Sequence, residues 1–157
     1  MVLNFPISRA IRLPNNLFLK ENKIMTPQMM LDDALSNSDY NRAIRFLASV
    51  PALQTADNML ECAKNPQLAF DVLKFVSGAK NIQKIIDIAA ENPRFARIIV
   101  EDIPHARTLN TLKRAIDGDL AWANKYKELF GLDELMFNKL VKKSGGNKKE
   151  STANSIL

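Results

Sequence analysis

The phrase CAKNPQLAFDVLKFV, Cys62 to Val76, returns 27 residues later as AAENPRFARIIVEDI, Ala89 to Ile103. This recurrence limits what the chain can fold into more than any other feature. Four residues able to cap a helix, Asp39, Asn65, Asn92 and Asp119, stand 26, 27 and 27 positions apart. Their side-chain oxygens can accept from the first unpaired N–H groups of a helix. Asn65 and Asn92 are followed by Pro66 and Pro93. Proline suits the first helical position because the N–H it lacks would have no partner there.

Each cap is followed by the same pattern of burial. Four residues on stands an alanine, Ala43, Ala69, Ala96 or Ala123, small enough to let a neighbouring helix come close. Seven residues on come Phe46, Val72, Ile99 and Tyr126, and eleven on come Val50, Val76, Ile103 and Phe130. Position 8 adds Leu47, Leu73 and Val100, with Lys127 as the exception. Positions 4, 7, 8 and 11 make one apolar stripe at helical spacing. Pro51, Ser77-Gly78, Pro104 and Gly131 then end each helix as breakers or left-handed caps.

Four further helices are predicted at residues 27–36, 53–64, 80–91 and 107–117. Their apolar positions are Met29, Leu31 and Leu35; Leu53, Met59 and Cys62; Ile82, Ile85, Ile86 and Ala89; and Leu109, Leu112 and Ile116. Thr26-Pro27 opens the first of them. Residues 133–143, with Leu135, Met136, Leu140 and Val141, read as a closing helix. A hairpin of two short helices cannot bury its stripe alone, whereas a stack of hairpins shares one core. The expectation is an all-α fold, a superhelical array of stacked hairpins with about 27 residues per unit, four units and a closing helix. That array is predicted to span 26–143, between an N-terminal arm (1–25) and a flexible basic and polar tail (144–157). The period is shorter than that of tetratricopeptide or ankyrin arrays, so their binding rules do not transfer.

The totals fit one domain: 157 residues, 46% hydrophobic and 25% charged. Cys62 is the single cysteine, which excludes an internal disulfide and points to a reducing compartment or at least to a fold that needs no staples. No apolar run reaches the ~18 residues of a spanning helix. The net charge of +5 is confined to the ends. Residues 1–25 hold four Lys/Arg and one acid, residues 139–157 five and one, and residues 26–138 thirteen and fifteen. The body is therefore slightly acidic. Pro6, Pro14 and Asn15-Asn16 interrupt any signal-peptide core. An arm tethered to the domain is the preferred reading of 1–25, ahead of an organellar transit peptide.

No catalytic constellation emerges, and neither a metal nor a cofactor site is predicted. His105, the only histidine, sits in the Pro104 break with no Cys or Ser motif and reads as a surface or capping residue. Cys62 aligns with Ala89 on the stripe and reads as a buried hydrophobe. The pairs Asp32-Asp33, Glu101-Asp102 and Asp133-Glu134 diverge by about 100° on a helix, so they do not converge on one ion. Gly145-Gly146 lies in a lysine-rich tail and not after a strand, so it is no phosphate loop. Trp122 and Tyr126 align with Phe95 and Ile99 and are expected in the core.

The Ala-x-Asn-Pro-x-x-Ala phrases, Ala63 to Ala69 and Ala90 to Ala96, resemble helical-repeat segments of effector proteins that intracellular bacteria inject through type IV secretion systems. The ending Glu150 to Leu157 is similar to their translocation signals, a short polar tail with an acid upstream and apolar residues last. The resemblance implies a protein of the bacterial cytoplasm that is translocated into a host cell and binds a host protein there. It carries over no site residue.

The function expected is a non-enzymatic protein-protein interaction module. Gln67, Lys74, Arg94, Arg97 and Glu101 are its predicted partner-binding residues, with Arg94 and Arg97 as an i, i+3 basic pair for an acidic partner. The alternative is nucleic-acid or anionic-membrane binding through the basic arm and tail. A third reading is an enzyme whose site one sequence does not reveal. Partner and oligomeric state are beyond the sequence.

Overall fold

The computed structural model describes residues 24–142. The predicted tail and nearly all of the predicted arm lie outside the described residues. Within them the chain is helical throughout, with no strand. In chain order the α-helices are α1 (Pro27–Ser36), α2 (Tyr40–Ser49), α3 (Ala56–Cys62), α4 (Pro66–Phe75), α5 (Gln83–Ala89), α6 (Pro93–Asp102), α7 (Leu109–Ile116), α8 (Leu120–Phe130) and α9 (Glu134–Val141). Three 3-10 turns, Pro51–Leu53, Ser77–Asn81 and Pro104–Ala106, follow α2, α4 and α6.

All four predicted caps open helices. Asp39 accepts from the N–H of Arg42 at 3.2 Å, Asn65 from Leu68 at 2.9 Å, Asn92 from Arg94 at 3.0 Å and Asp119 from Ala121 at 2.8 Å. Each such cap is worth about 1 kcal/mol. The stripe behind them is the core. Ala43, Ala69, Ala96 and Ala123 expose no surface, and Val72, Ile99, Tyr126, Leu47, Leu73, Val100, Val76 and Ile103 are buried. At the stripe's two ends, Phe46, Val50 and Phe130 are half-buried and pack against the same core. Gly131 ends α8 in the left-handed region, φ 62°, where glycine carries no steric penalty.

The stops are more structured than a break. Val50, Val76 and Ile103 turn the chain with nearly the same backbone angles, φ/ψ −122°/96°, −116°/104° and −120°/95°. A 3-10 turn then tucks Leu53, Ala79 or Ala106, each fourteen residues after its cap, into the core. The helices predicted at 53–64, 80–91 and 107–117 therefore begin later, at Ala56, Gln83 and Leu109. Thr55 and Thr108 cap α3 and α7, whereas α5 starts after Ile82 without a side-chain cap.

Packing is local along the chain. Helices make their main contacts with the next helix or the next but one, most extensively α6 with α7 and α4 with α5. The closing helix α9 is capped by Asp133 and packs on α7 and α8. Two residues expected on the stripes face outward: Met29 is 41% exposed and Leu135 65%. Both lie on the terminal helices, where one side has no further described helix against it. No described helix is long and apolar enough to cross a membrane.

Candidate interaction face

Positions in the capped helices α2, α4, α6 and α8 are counted from their caps, Asp39, Asn65, Asn92 and Asp119. The stripe faces inward, and positions 5, 6, 9 and 10 line the junctions between successive capped helices. Between α2 and α4 lies an open groove of about 320 Å³, with Ile44, Arg45 and Ala48 on one wall and Asp71 and Phe75 on the other. One unit along, between α4 and α6, lies a second groove of about 390 Å³. Phe70, Leu73 and Lys74 form one wall and Ile98, Ile99 and Asp102 the other, with Lys80 from the 3-10 turn on the rim. Phe75, 55% exposed, and Ile98, 39% exposed, present apolar surface to solvent here.

The α6–α8 junction is built on the same positions but is bridged by side chains. Phe70 at position 5 of α4 stacks on Phe95 at position 3 of α6, centroids 4.4 Å apart and planes within 5°. The corresponding pair one unit along is Arg97 and Trp122, with the guanidinium carbon 4.5 Å from the indole centroid. Lys125 places its Nζ 4.4 Å from the same ring and pairs with Glu101 at 3.1 Å. Such cation–π contacts are worth about 0.5–2 kcal/mol depending on desolvation. Beneath them Tyr126 is fully buried between Trp122 and Phe130, and its hydroxyl has no hydrogen-bond partner among the described residues. Burial, and then the nearby Glu101 carboxylate, push its phenol up to about 12.

The five predicted binding residues divide between these junctions. Gln67 and Arg94 occupy position 2 of α4 and α6, and Lys74 and Glu101 position 9. Arg94 is exposed and makes no ion pair among the described residues. Lys74 is exposed on the wall of the α4–α6 groove. Gln67 donates to Asp71 within its own helix at 3.1 Å. Glu101 is held by Lys125. Arg97 differs from the expectation of an exposed anchor. It is half-buried, and its Nε donates to the Ala115 carbonyl at 2.8 Å while its guanidinium covers Trp122. The Arg94–Arg97 pair is therefore not a free basic patch.

Two other arginines are engaged in the same way. Arg107 Nε donates to the Val100 carbonyl at 2.7 Å, and Arg114 Nη1 to the Asp87 carbonyl at 2.9 Å. These contacts satisfy carbonyls with a cation that also suits a helix C-terminus. Gln54 plays the part of Arg107 two stops earlier, donating to the Leu47 carbonyl at 2.8 Å. His105 donates from Nε2 to the Lys80 carbonyl at 2.6 Å and so ties two successive turns together. Cys62 has no exposed surface, and burial pushes its thiol up to about 11, far from the thiolate a nucleophile needs. The acidic pairs serve locally: Asp33 accepts from Arg42 at 3.2 Å, Asp133 caps α9, and Glu134 pairs with Lys127.

Sequence reasoning missed the grooves themselves, and with them Phe70, Phe75, Lys80 and Ile98. A signal was present. Phe75 at position 10 and Ile98 at position 6 are large apolar residues off the buried stripe, where a solvated face expects polar ones. No protein-family model, curated protein or solved structure matches the chain.

Proposed function

We propose that the chain is a non-enzymatic protein-interaction module, a stack of helical hairpins that binds its partner across the face formed by α2, α4 and α6. The observation that carries this reading is the pair of open, apolar-floored grooves at equivalent places between successive capped helices. Concave apolar surface rimmed by a few polar groups is where proteins bind other molecules. The recurring links and caps support a stacked frame that holds such grooves at a fixed spacing.

The test is affinity capture from lysates with the full chain, comparing wild type with a Phe75→Asp, Ile98→Asp double variant whose helicity is verified by circular dichroism. The proteins retained by wild type are expected to be lost from this variant. They are expected to persist on Lys84→Ala, an exposed change on α5. Equal retention by all three would refute the assignment of the face. The resemblance of the Asn-Pro phrases to effector repeats adds the proposal that the partner is a host protein. The arm and tail needed for nucleic-acid or membrane binding lie outside the described residues.

A further inference from the structure

We propose that the α2–α4 groove takes the chain's own segment Leu17-Phe18-Leu19, an intramolecular occupant that a partner has to displace. The contact goes beyond the interaction-module reading and does not depend on it. It starts from where the described chain begins. Ile24 stands just before α1, and the short turn between α1 and α2 makes them an antiparallel hairpin, so the start of α1 lies at the end of α2. Side chains fix that placement. The amides of Gln28 on α1 and Asn58 on α3 bond each other at 3.0 and 3.3 Å, and Asn58 Nδ2 also donates at 2.9 Å to the carbonyl of Leu53, in the 3-10 turn that follows α2. The same end of α2 gives Ala48 and Ser49 to the groove, and Phe75 faces them from the end of α4.

The sequence supplies an occupant within reach. Leu17-Phe18-Leu19 is a run of three large apolar residues, joined to Ile24 by the polar tether Lys20-Glu21-Asn22-Lys23. The five steps from Ile24 back to Leu19 span up to about 17 Å when extended. A helix with its side chains is about 10–12 Å across, so the tether can cross the end of α2. The α4–α6 groove lies beyond α4 as well and is left to the partner. Apolar burial drives the contact, against Ile44, Ala48 and the largely exposed Phe75. Charge plays no part in the choice, because Arg45 and Asp71, one cation and one acid, are the charged residues of the groove. Tethering holds the segment at a local concentration of about millimolar, where a contact of a few apolar side chains is populated. Met25 and Met29 are also exposed, but they adjoin Ile24 directly, and the polar tether carries the three apolar residues past them.

The test is disulfide trapping in the full chain with oxidised glutathione, helicity of each variant being verified by circular dichroism. Native Cys62 exposes no surface and does not compete. Asn16→Cys is paired either with Ala48→Cys on the groove wall or with Asp32→Cys on α1, which is nearer along the chain and equally open to solvent. The Ala48 pair is expected to close at least about tenfold faster than the Asp32 pair. Adding Phe18→Asp, or separately Phe75→Asp, is expected to abolish that difference. Equal rates for the two pairs, faster closure to Asp32→Cys, or a preference that survives both aspartate changes overturns the inference. The partner reading is scored apart from it by lysate capture. Proteins lost from the Phe75→Asp, Ile98→Asp variant uphold that reading even where trapping is unselective, and selective trapping without such proteins upholds the intramolecular contact alone. Where both hold, Phe18→Asp is expected to retain more of those proteins than wild type, and equal or lower retention removes the competition between segment and partner.

Discussion

The α4–α6 and α6–α8 junctions use the same backbone positions and reach opposite outcomes. In the first, two phenylalanines stack at positions 5 and 3, Ile98 and Lys74 stand apart at positions 6 and 9, and a groove of about 390 Å³ stays open. In the second, arginine and tryptophan replace the phenylalanines, and Lys125 and Glu101 at positions 6 and 9 bridge the gap over Trp122. Helices opened by the same kind of cap can therefore be joined either across an open groove or by a seam of bridging side chains. The choice rests on whether facing side chains complement each other.

The largest effect should come from a change common to both junctions. Ile99→Ala removes a side chain that is 2% exposed, from the helix that takes part in both, and should cost about 2–5 kcal/mol, seen as a lower thermal midpoint. Next is Trp122→Ala, which uncovers the closed seam. About 2–3 kcal/mol is expected because the ring is only half-buried, and a double-mutant cycle with Arg97→Ala should return a coupling of about 1 kcal/mol. The equivalent Phe95→Ala should show no coupling to Arg97. Finding the same coupling there would mean that the two junctions do not act independently.

Tyr126→Phe should stabilise the α6–α8 seam by about 1 kcal/mol, since it removes a buried hydroxyl that has no partner among the described residues. The same variant tests a pH dependence. The folded phenol ionises at about 12 and the unfolded one near its ordinary 10.0, so stability is retained below pH 10 and declines as pH rises from 10 toward 12. Denaturant midpoints measured across that window should fall less steeply in Tyr126→Phe than in wild type. The smallest effect belongs to Lys125→Ala. The Lys125–Glu101 pair is partly solvated on both sides, so its loss should cost under about 1 kcal/mol and diminish with salt. It should also open a groove at α6–α8, seen as new binding of a hydrophobic dye.

The starts of the capped helices were legible because a cap acts on N–H groups two or three residues away. Asp39, Asn65, Asn92 and Asp119 all open helices where their positions indicate. The starts of α3 and α7 were misjudged because Pro51 and Pro104 look like simple breakers, whereas proline also suits the first position of a 3-10 turn. Burial was legible at positions 4, 7, 8 and 11 through periodicity alone. It failed at Met29 and Leu135, whose exposure depends on what lies beyond the terminal helices. Among the candidate site residues, Lys74 and Arg94 are exposed as expected, while Arg97 is not. Its partners, the Ala115 carbonyl and Trp122, lie 18 and 25 residues away on other helices.

By itself the sequence determined the all-helical class, the starts of the capped helices α2, α4, α6 and α8 and the inward stripe, because capping and periodic burial act within a few residues of one chain segment. Only the tertiary structure decided which junctions stay open and which arginines are engaged. Those outcomes depend on the shape and charge of side chains brought together from neighbouring helices, about 27 residues apart in the chain.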